Sequence, residues 1–400
     1  MNKFDITYFH GPFANYMDKP EIIADIAASG MTLVQLHYDT LTNKKALPLV
    51  SLYGMKALVQ DPRITNVYKN NDLAGAAAVV KEVVDDYAVF DNVITGWDIC
   101  DEPKESKFPV LSAIVKAFRV YSPDKETVIN LYPNYATLEQ IGSPDYMSHL
   151  EAFANIVGPE LISYDHYHFR GRNVSEQCIA DNLSERERLI QINAITPRKQ
   201  GGGFFENMED IRTVAKKYGM DPMLIVLLTE HGPYRNLTYS ELLWEVNMCL
   251  AYGMRRISYF TYWEPKHDDY WRWDNAMCNT EGKKMQHYYD VQAINATISD
   301  IGNWLYDKNS MEVFHIGSTD WGTKEFESYG GIHDIDGKEG VIGFFDDGSV
   351  YLVNRNFQEE NTFILHTDKL VTIRRNGIFV NLEDLTITLD AGGAVLLKIA

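Results

Sequence analysis

Residues 93–103 read VITGWDICDEP, an apolar run that ends in two carboxylates and a proline. A run of this length, rich in β-branched residues, is typical of a buried strand. Asp101 and Glu102 follow it directly. Because charge is costly to bury, a pair of carboxylates at the end of such a strand predicts a functional edge. The fold then depends on how many such strands the chain contains.

Short apolar runs of this kind recur along the chain and alternate with helical patterns. We predict eight strands, at residues 6–9, 33–38, 56–60, 93–99, 127–131, 161–164, 224–229 and 257–262. Helical patterns fall at residues 20–29, 72–87, 108–121, 207–218, 240–252 and 283–304. This alternation predicts an α/β fold, a (β/α)8 TIM barrel. An open doubly wound sheet is the alternative, weakened because no Gly-x-Gly-x-x-Gly motif follows a strand.

The pattern changes after residue 307, where helical periodicity stops. Strand-like runs follow at residues 341–345, 350–353, 362–365, 371–375, 386–389 and 394–399. Turn sequences such as Asn376-Gly377 separate them. We therefore predict a catalytic barrel over residues 1–307 and a small C-terminal antiparallel β-sandwich domain over residues 308–400. We expect the second domain to be structural.

Charge and composition exclude several partner classes. The 400 residues include 56 Asp and Glu against 37 Lys and Arg, which gives a net charge of −19. Such a chain repels polyanions, so neither nucleic acid nor a membrane is an expected partner. A small neutral or cationic ligand is favoured. The 24 Tyr, 18 Phe and 7 Trp residues suggest a ligand that stacks on flat rings.

The cysteines and the N-terminus bear on the compartment. Cys100, Cys178, Cys249 and Cys278 lie far apart without a CxxC pair, which fits neither a zinc cluster nor a disulfide framework. The sequence shows no secretory signal and no apolar run long enough to span a membrane. We therefore predict a cytoplasmic protein, although a secreted protein without its signal would look the same.

Polar and aromatic residues follow nearly every predicted strand. In a TIM barrel the loops after the strands meet at one face, where the active site lies. The candidates are His10, His37, Asp101, Glu102, Asn130, Tyr132, Asp165, His166, Tyr167, His168, Glu230, Tyr234, Tyr262 and Trp263. This mixture of carboxyl, imidazole, amide and aromatic groups predicts a cleft for a small carbohydrate or glycoside.

Two of these carboxylates suit the hydrolysis of a glycosidic bond. That reaction uses one carboxyl as general acid/base and a second as nucleophile or base. Glu102 follows the fourth strand and Glu230 the seventh, so their side chains can approach each other over the mouth. The plainer interpretation of each is an ion pair or a loop cap. Asp165 is the rival nucleophile.

The remaining candidates divide between binding and packing. Trp263 is either a stacking floor for a sugar ring or a core tryptophan, Tyr262 and Tyr132 are further sugar contacts, and Tyr234 orients the nucleophile. Residues 267–273 form either an aromatic loop over the mouth or a packed surface loop. His166 and His168 form an HxH pair, but without a third ligand at a diagnostic spacing we predict no metal and no cofactor.

The two glutamates, the Asp-Glu-Pro motif and the all-β C-terminal part together resemble the clan A glycoside hydrolases. The layout is similar to that of uncharacterised bacterial glycosidase-like proteins, which also share the strings SYDHY (163–167), LAYG (250–253) and YFTYW (259–263). The resemblance implies that Glu102 is the acid/base and Glu230 the nucleophile, with retention of configuration. Clan A enzymes usually carry Asn where this chain has Asp101, which puts the usual 2-OH contact in doubt.

The expected activity is therefore that of a retaining glycoside hydrolase acting on a β-linked glycoside. A carbohydrate-binding protein of the same fold that has lost catalysis is the first alternative. Asp101, in place of the usual Asn, would be the first sign of that loss. A metal-dependent barrel hydrolase that uses His166 and His168 is the second alternative. Asp101, if ionised, adds negative charge beside Glu102, which favours the protonated form of that glutamate.

Overall fold

The chain forms a closed barrel followed by antiparallel sheets. The computed structural model describes residues 4–170, 203–267, 272–320 and 322–400. The barrel has eight parallel strands: β1 (Asp5–Phe9), β2 (Leu33–Leu36), β3 (Lys56–Val59), β4 (Ile94–Asp101), β5 (Glu126–Leu131), β6 (Leu161–Asp165), β7 (Asp221–Leu227) and β8 (Arg256–Phe260). They lie in the order β1-β8-β7-β6-β5-β4-β3-β2.

Thr32 closes the barrel between β1 and β2. Its backbone N–H donates to the carbonyl of Ile6 at 2.9 Å, and its hydroxyl accepts from the Ile6 N–H at 3.0 Å. The predicted TIM barrel is thus confirmed, and the open doubly wound sheet is wrong. Each of the eight predicted strands overlaps one of these strands.

Helices surround the barrel. They are α1 (Pro20–Ala28), α2 (Thr40–Leu52), α3 (Pro62–Asn70), α4 (Ala76–Tyr87), α5 (Phe108–Tyr121), α6 (Leu138–Ile141), α7 (Tyr146–Ile156), α8 (Phe204–Tyr218), α9 (Tyr239–Ala251) and α10 (Gln286–Leu305). The sequence pattern misses α2, α3, α6 and α7. Helix α2 carries Pro48 in its interior and a polar first turn, which obscures its helical periodicity. Within the described part of the chain, no helix is long and apolar enough to span a bilayer.

The barrel interior changes from apolar to polar along the strands. Near the strand starts, one buried cluster consists of Leu33, Leu58, Val128, Leu161, Met223 and Ile225. Since side chains alternate across a strand, the next inward positions on β2, β5 and β6 are Gln35, Asn130 and Ser163. Two residues further along, His37 comes directly after β2 and Asp165 ends β6. The polar layer therefore faces the mouth at the carboxyl ends of the strands.

The C-terminal part consists of two antiparallel sheets. Its strands are β9 (Ser310–Ile316), β10 (Asp334–Asp336), β11 (Gly340–Phe345), β12 (Ser349–Asn354), β13 (Asn361–His366), β14 (Val371–Arg375), β15 (Ile378–Asn381), β16 (Thr386–Leu389) and β17 (Ala394–Ile399). Six strands form the sheet β9-β11-β12-β17-β14-β15, and three form β10-β13-β16. Buried residues of both sheets share one hydrophobic cluster. The sequence pattern misses β9, β10 and β15.

Helix α9 carries the contact between barrel and sheets. Asn247 accepts a hydrogen bond from the Tyr351 hydroxyl at 2.7 Å and donates to the Gly392 carbonyl at 2.9 Å. A Cβ atom at Gly343 would lie 2.1 Å from the carbonyl oxygen of Ala251, so only glycine permits this approach. Hydrogen bonds and close packing thus hold the two parts against each other. The boundary at residue 307 stays a prediction.

Helix α9 also contains a fully buried carboxyl group. Glu245 is 0% exposed, and within the described part of the chain no side chain donates a hydrogen bond to its carboxyl oxygens. Burial raises the pKa of Glu245 well above its usual value, and the charge of Glu241 adds to this. An ion is far more costly to bury than a neutral acid, so burial favours the protonated form of this carboxyl.

We expect Glu245→Gln to become increasingly stabilising, relative to the wild type, as the pH rises from 5 to 8. An unfolded glutamate ionises near pH 4.3, so above that pH unfolding releases the Glu245 proton and becomes easier. Glutamine has no such proton. The difference in unfolding free energy should grow by up to about 1.36 kcal/mol per pH unit in urea titrations. Glu139→Gln, at an exposed glutamate of α6, is the control and should show no such pH-dependent difference. A pH-independent difference would mean that Glu245 is ionised in the fold.

Candidate active site

The polar inward residues of neighbouring and non-neighbouring strands meet in the barrel mouth. Gln35 of β2 donates to Asp98 of β4 at 3.3 Å, although β3 lies between these strands. Their side chains can meet only inside the barrel. His37 lies 2.8 Å from the same carboxylate through its Nε2. Burial would lower the pKa of His37, but the charge of Asp98, its hydrogen bond and the charge of Asp101 raise it.

Strand β4 delivers its carboxylates to the mouth with an irregular register. Its pairing with β5 shifts between Asp98 and Cys100, after which Asp101 lies opposite Asn130. Such a bulge re-aims the side chains that follow it and is common beside active sites. Asp101 is exposed and Glu102 is half-buried. The strand thus ends with two carboxyl groups at the rim.

Asn130 connects the carboxylates of two strands. Its side-chain nitrogen donates to Asp101 at 2.9 Å and to Asp165 at 2.8 Å. Its side-chain oxygen accepts from the Ser163 hydroxyl at 2.9 Å. Its backbone carbonyl accepts from the N–H of Glu102 at 2.8 Å. Asn130 therefore fixes the relative positions of Asp101, Asp165 and the Glu102 backbone.

Glu102 has the properties of a proton donor. Burial raises its pKa to about 9, and the charges of Asp165 and Asp101 add to this. Asp165 itself is buried at the end of β6. Burial raises the pKa of Asp165 to about 7, the charge of Asp101 adds to this, and the hydrogen bond from Asn130 acts in the opposite direction. Burial and the neighbouring charges thus favour the protonated form of Glu102.

Glu230 stands three residues beyond β7 and is half-buried. One of its carboxyl oxygens accepts a hydrogen bond from the side-chain amide of Asn275 at 3.0 Å. Its backbone pairs with Asp274 in a short antiparallel ladder that also joins His231 to Trp273. The rings of His231 and Trp273 stack with centroids 4.6 Å apart. A loop after β8 therefore holds the second glutamate.

Aromatic rings line the same side of the mouth. The Tyr167 ring stacks on Phe260, at the end of β8, with centroids 5.3 Å apart, and meets Tyr234 edge-on at 5.2 Å. Tyr234 and Tyr135 share a hydrogen bond of 3.3 Å between their hydroxyls. Tyr132 lies in the same loop after β5 as Tyr135 and is half-buried, and the Tyr146 hydroxyl donates to its backbone carbonyl. Flat apolar faces with hydroxyl edges suit a sugar ring.

Backbone strain is concentrated at the mouth. Among the described residues, five non-glycine residues have positive φ, and three of them are His10 (68°), Glu102 (45°) and Asn275 (57°). His10 follows β1 and Glu102 follows β4, while Asn275 donates a hydrogen bond to Glu230. Left-handed backbone costs free energy outside glycine and persists where the surrounding structure enforces it. His10 also contacts the Phe9 and Phe260 rings.

Two of the predicted sugar contacts are part of the core instead. Tyr262 and Trp263 are each 1% exposed. The Tyr262 ring packs on Tyr8 at 5.0 Å, and the Trp263 ring packs on Tyr16 at 5.0 Å. Their backbone N–H groups donate to the carbonyl of His10, which turns the chain away from the mouth directly after β8. As placed, Trp263 is the core tryptophan of the plainer interpretation rather than a stacking floor.

The HxH pair does not converge on one point. His166 is buried with its Nδ1 3.0 Å from the Asn207 side chain, while the His168 ring stacks on Trp244 at 5.4 Å. Successive side chains of an extended segment point in opposite directions, which separates them. Across the residues that the structure describes, no three His, Cys, Asp or Glu side chains are grouped as metal ligands would be.

The structure adds residues that the sequence argument missed. Candidate site residues are expected directly after each predicted strand. Asn275 and Tyr135 lie further along their loops, so no pattern marks them. Trp273 belongs to the aromatic loop at residues 267–273. Residues 268–271 of this loop lie outside the described residues, and so does Cys178. Trp273 lies against His231 beside Glu230, so in this part of the loop the mouth interpretation applies.

Several solved structures are similar to this chain in fold, and the three that follow are glycoside hydrolases. A catalytic mutant of Gan42B, a GH42 β-galactosidase from G. stearothermophilus, is 7% identical with a TM-score of 0.61, covering 100% of this chain and 99% of that chain. The cold-adapted β-galactosidase from Rahnella sp. R3 is 9% identical with a TM-score of 0.60, over 100% and 99%. A family 5 glycoside hydrolase from Bacteroides vulgatus is 9% identical with a TM-score of 0.56, over 98% and 86%.

The likeness to these proteins is one of fold, since the identities are low. It extends over the barrel and the C-terminal sheets alike, because nearly the whole chain is covered. No family model matches the sequence, and no curated protein matches it. The comparisons therefore show a shared fold, a TIM barrel followed by C-terminal β-sheets.

Proposed function

We propose that this protein is a retaining glycosidase that cleaves a small β-linked glycoside in two displacements. The observation that carries the proposal is Glu102, a rim carboxyl whose protonated form is favoured by burial and by two neighbouring carboxylates. A second glutamate, Glu230, is held in the same mouth by the Asn275 amide. A protonated acid and a separately held carboxylate are the two groups that glycoside hydrolysis needs.

The reaction assigns one proton and one bond to each glutamate. In the first step Glu102 donates its proton to the glycosidic oxygen while the Glu230 carboxylate attacks the anomeric carbon, so the alcohol leaves and a glycosyl ester forms. In the second step Glu102, now ionised, takes a proton from water. The resulting hydroxide equivalent attacks the anomeric carbon and releases Glu230.

Asp165 is the alternative nucleophile, and its burial argues against that role. A nucleophilic carboxylate must reach the anomeric carbon of the substrate. Asp165 is only 7% exposed at the end of β6 and accepts a hydrogen bond from the Asn130 amide. Glu230 accepts an amide hydrogen bond at the rim instead. We therefore assign the nucleophile to Glu230 and an electrostatic role to Asp165.

The binding surface follows from the groups around the glutamates. We propose that the Tyr167, Phe260 and Trp273 rings contact the faces of the sugar, with Tyr132 at the edge of the cleft. Asp101 is acceptor-only when ionised, so it suits a hydroxyl or ammonium donor of the substrate. The cytoplasmic location remains a proposal; it fits Cys100, Cys249 and Cys278, which are free and buried.

We expect a screen of aryl β-glycosides to yield at least one substrate, whose first-formed product is the β-anomer. Two displacements at the anomeric carbon restore the starting configuration. Proton NMR of the anomeric signal in the first minutes, before mutarotation, gives the answer. The α-anomer would contradict the retaining mechanism. Sugar binding by calorimetry, with no hydrolysis of any glycoside in the panel, would favour the non-catalytic alternative.

A further inference from the structure

Asn130 has no donor left for a substrate. An amide nitrogen carries two hydrogens, and here one goes to Asp101 and the other to Asp165. Its oxygen accepts from Ser163, and the residue is only 5% exposed. The expectation that Asn130 binds the sugar is therefore not supported by its contacts. All of its polar atoms serve the protein.

We propose that Asn130 is a positioning residue that holds the carboxylates of Asp101 and Asp165 beside Glu102, so that their negative charge keeps Glu102 a proton donor. The proposal rests on the proposed function for its catalytic meaning, but the electrostatic arrangement can be measured without any substrate. It assigns Asp165 to the tuning of the acid rather than to bond formation.

The contacts of Asn130 account for this coupling. A hydrogen bond from a neutral amide favours the ionised form of a carboxylate, and Asn130 supplies one to each partner. The same residue accepts the backbone N–H of Glu102. The side chain thus stabilises two negative charges, and the backbone carbonyl of the same residue fixes the peptide that carries the third carboxyl group. The charge of Asp165 then acts on Glu102 from β6, and that of Asp101 acts from β4.

The other charged groups of the mouth lie further along the network. His37, directly after β2, is paired with Asp98, whose carboxylate lies 2.8 Å from its Nε2, so any charge that it carries is compensated within the barrel. Glu230 stands at the end of β7 and is held by Asn275. Neither arrangement places a cation on Glu102 that would favour its ionised form.

The phenols around Glu102 are neutral at working pH. Burial, followed by the charges of the nearby carboxylates, raises the pKa of Tyr132 and of Tyr167 above the usual value. Tyr68 of α3, which faces Asp101 and Cys100, is likewise raised mainly by burial. These groups carry no charge near neutrality, so Asp101 and Asp165 supply the negative charge that acts on Glu102.

The test is a pH titration of Glu102 in the intact, substrate-free protein. The titration is monitored through the carboxyl carbon NMR signals of glutamate-labelled samples. The Glu102 signal is assigned by its loss in Glu102→Gln. In the wild type we expect a midpoint near pH 9. In Asp165→Asn, the removal of a like charge should lower the midpoint by roughly one to three units. Asn130→Leu should move it in the same direction, because both aspartates then keep their protons to higher pH.

Asn295→Leu is the matched control, since it removes a buried asparagine that bridges Tyr259 and Ser29 outside the mouth. Its Glu102 midpoint should equal that of the wild type. An unchanged midpoint in Asp165→Asn would overturn the proposal and leave burial as the cause. An unchanged midpoint in Asn130→Leu, with a shift in Asp165→Asn, would remove Asn130 from the role. If Asn130→Leu does not fold, Asn130→Ser replaces it.

The two levels of the argument can fail separately. A shifted midpoint in a protein that cleaves no glycoside supports the Asn130 network and contradicts the proposed activity. Hydrolysis with unchanged midpoints supports the activity and contradicts the network. Where activity is present, the alkaline limb of kcat/KM should follow the Glu102 midpoint in each variant.

Discussion

We expect Glu102→Gln to lower kcat for glycosides with poor leaving groups by roughly 10²–10⁴-fold. Such leaving groups depart only when the glycosidic oxygen receives a proton, and glutamine has none to give. Dinitrophenyl glycosides leave without protonation, so their first step should be nearly unaffected. A plot of log kcat/KM, which reports the first step, against leaving-group pKa should therefore become steep in the variant and be shallow in the wild type.

The pH profile provides the second readout for Glu102. Because burial and its neighbours raise the pKa of Glu102 to about 9, the wild-type kcat/KM should fall above that pH as the acid loses its proton. Glu102→Gln should lack this alkaline limb. Glu139→Gln, at an exposed glutamate of α6, is the control and should match the wild type. Equal loss for all leaving groups would show that Glu102 is not the acid.

The barrel was predictable because its determinants are local. The eight short apolar runs and their spacing are properties of the sequence itself. The position of Glu102 was predictable for the same reason, since the carboxyl end of a barrel strand always faces the mouth. The role of Asn130 was not. Its contacts with Asp101 and Asp165 depend on side chains from three strands meeting inside a closed barrel.

The errors follow from treating every residue after a strand as part of the mouth. Directly after β8 the chain turns, and Tyr262 and Trp263 enter the core. Asn275 reaches Glu230 from a loop that pairs with the segment after β7, and no local pattern encodes this pairing. Helices α2 and α7 show why periodicity fails in the outer layer: tertiary packing stabilises helices whose own pattern is weak.

We expect Glu230→Ala to reduce kcat by roughly 10³-fold or more on every glycoside, including those with activated leaving groups. Without the carboxylate no glycosyl ester can form, and leaving-group activation cannot replace an absent nucleophile. This separates Glu230 from Glu102, whose loss activated substrates tolerate. The thermal midpoint should stay close to that of the wild type, because Glu230 is a rim residue and only half-buried.

Azide distinguishes the nucleophile from any other carboxyl group whose loss abolishes activity. In Glu230→Ala the vacated space admits azide, which attacks the anomeric carbon of a dinitrophenyl β-glycoside and displaces dinitrophenolate. The product is an α-glycosyl azide, since one displacement inverts the centre. Asp165→Ala is the matched comparison and should give no such product. An α-glycosyl azide from Asp165→Ala, and none from Glu230→Ala, would transfer the nucleophile from β7 to β6. Glu230 would then be a substrate-binding or positioning carboxylate.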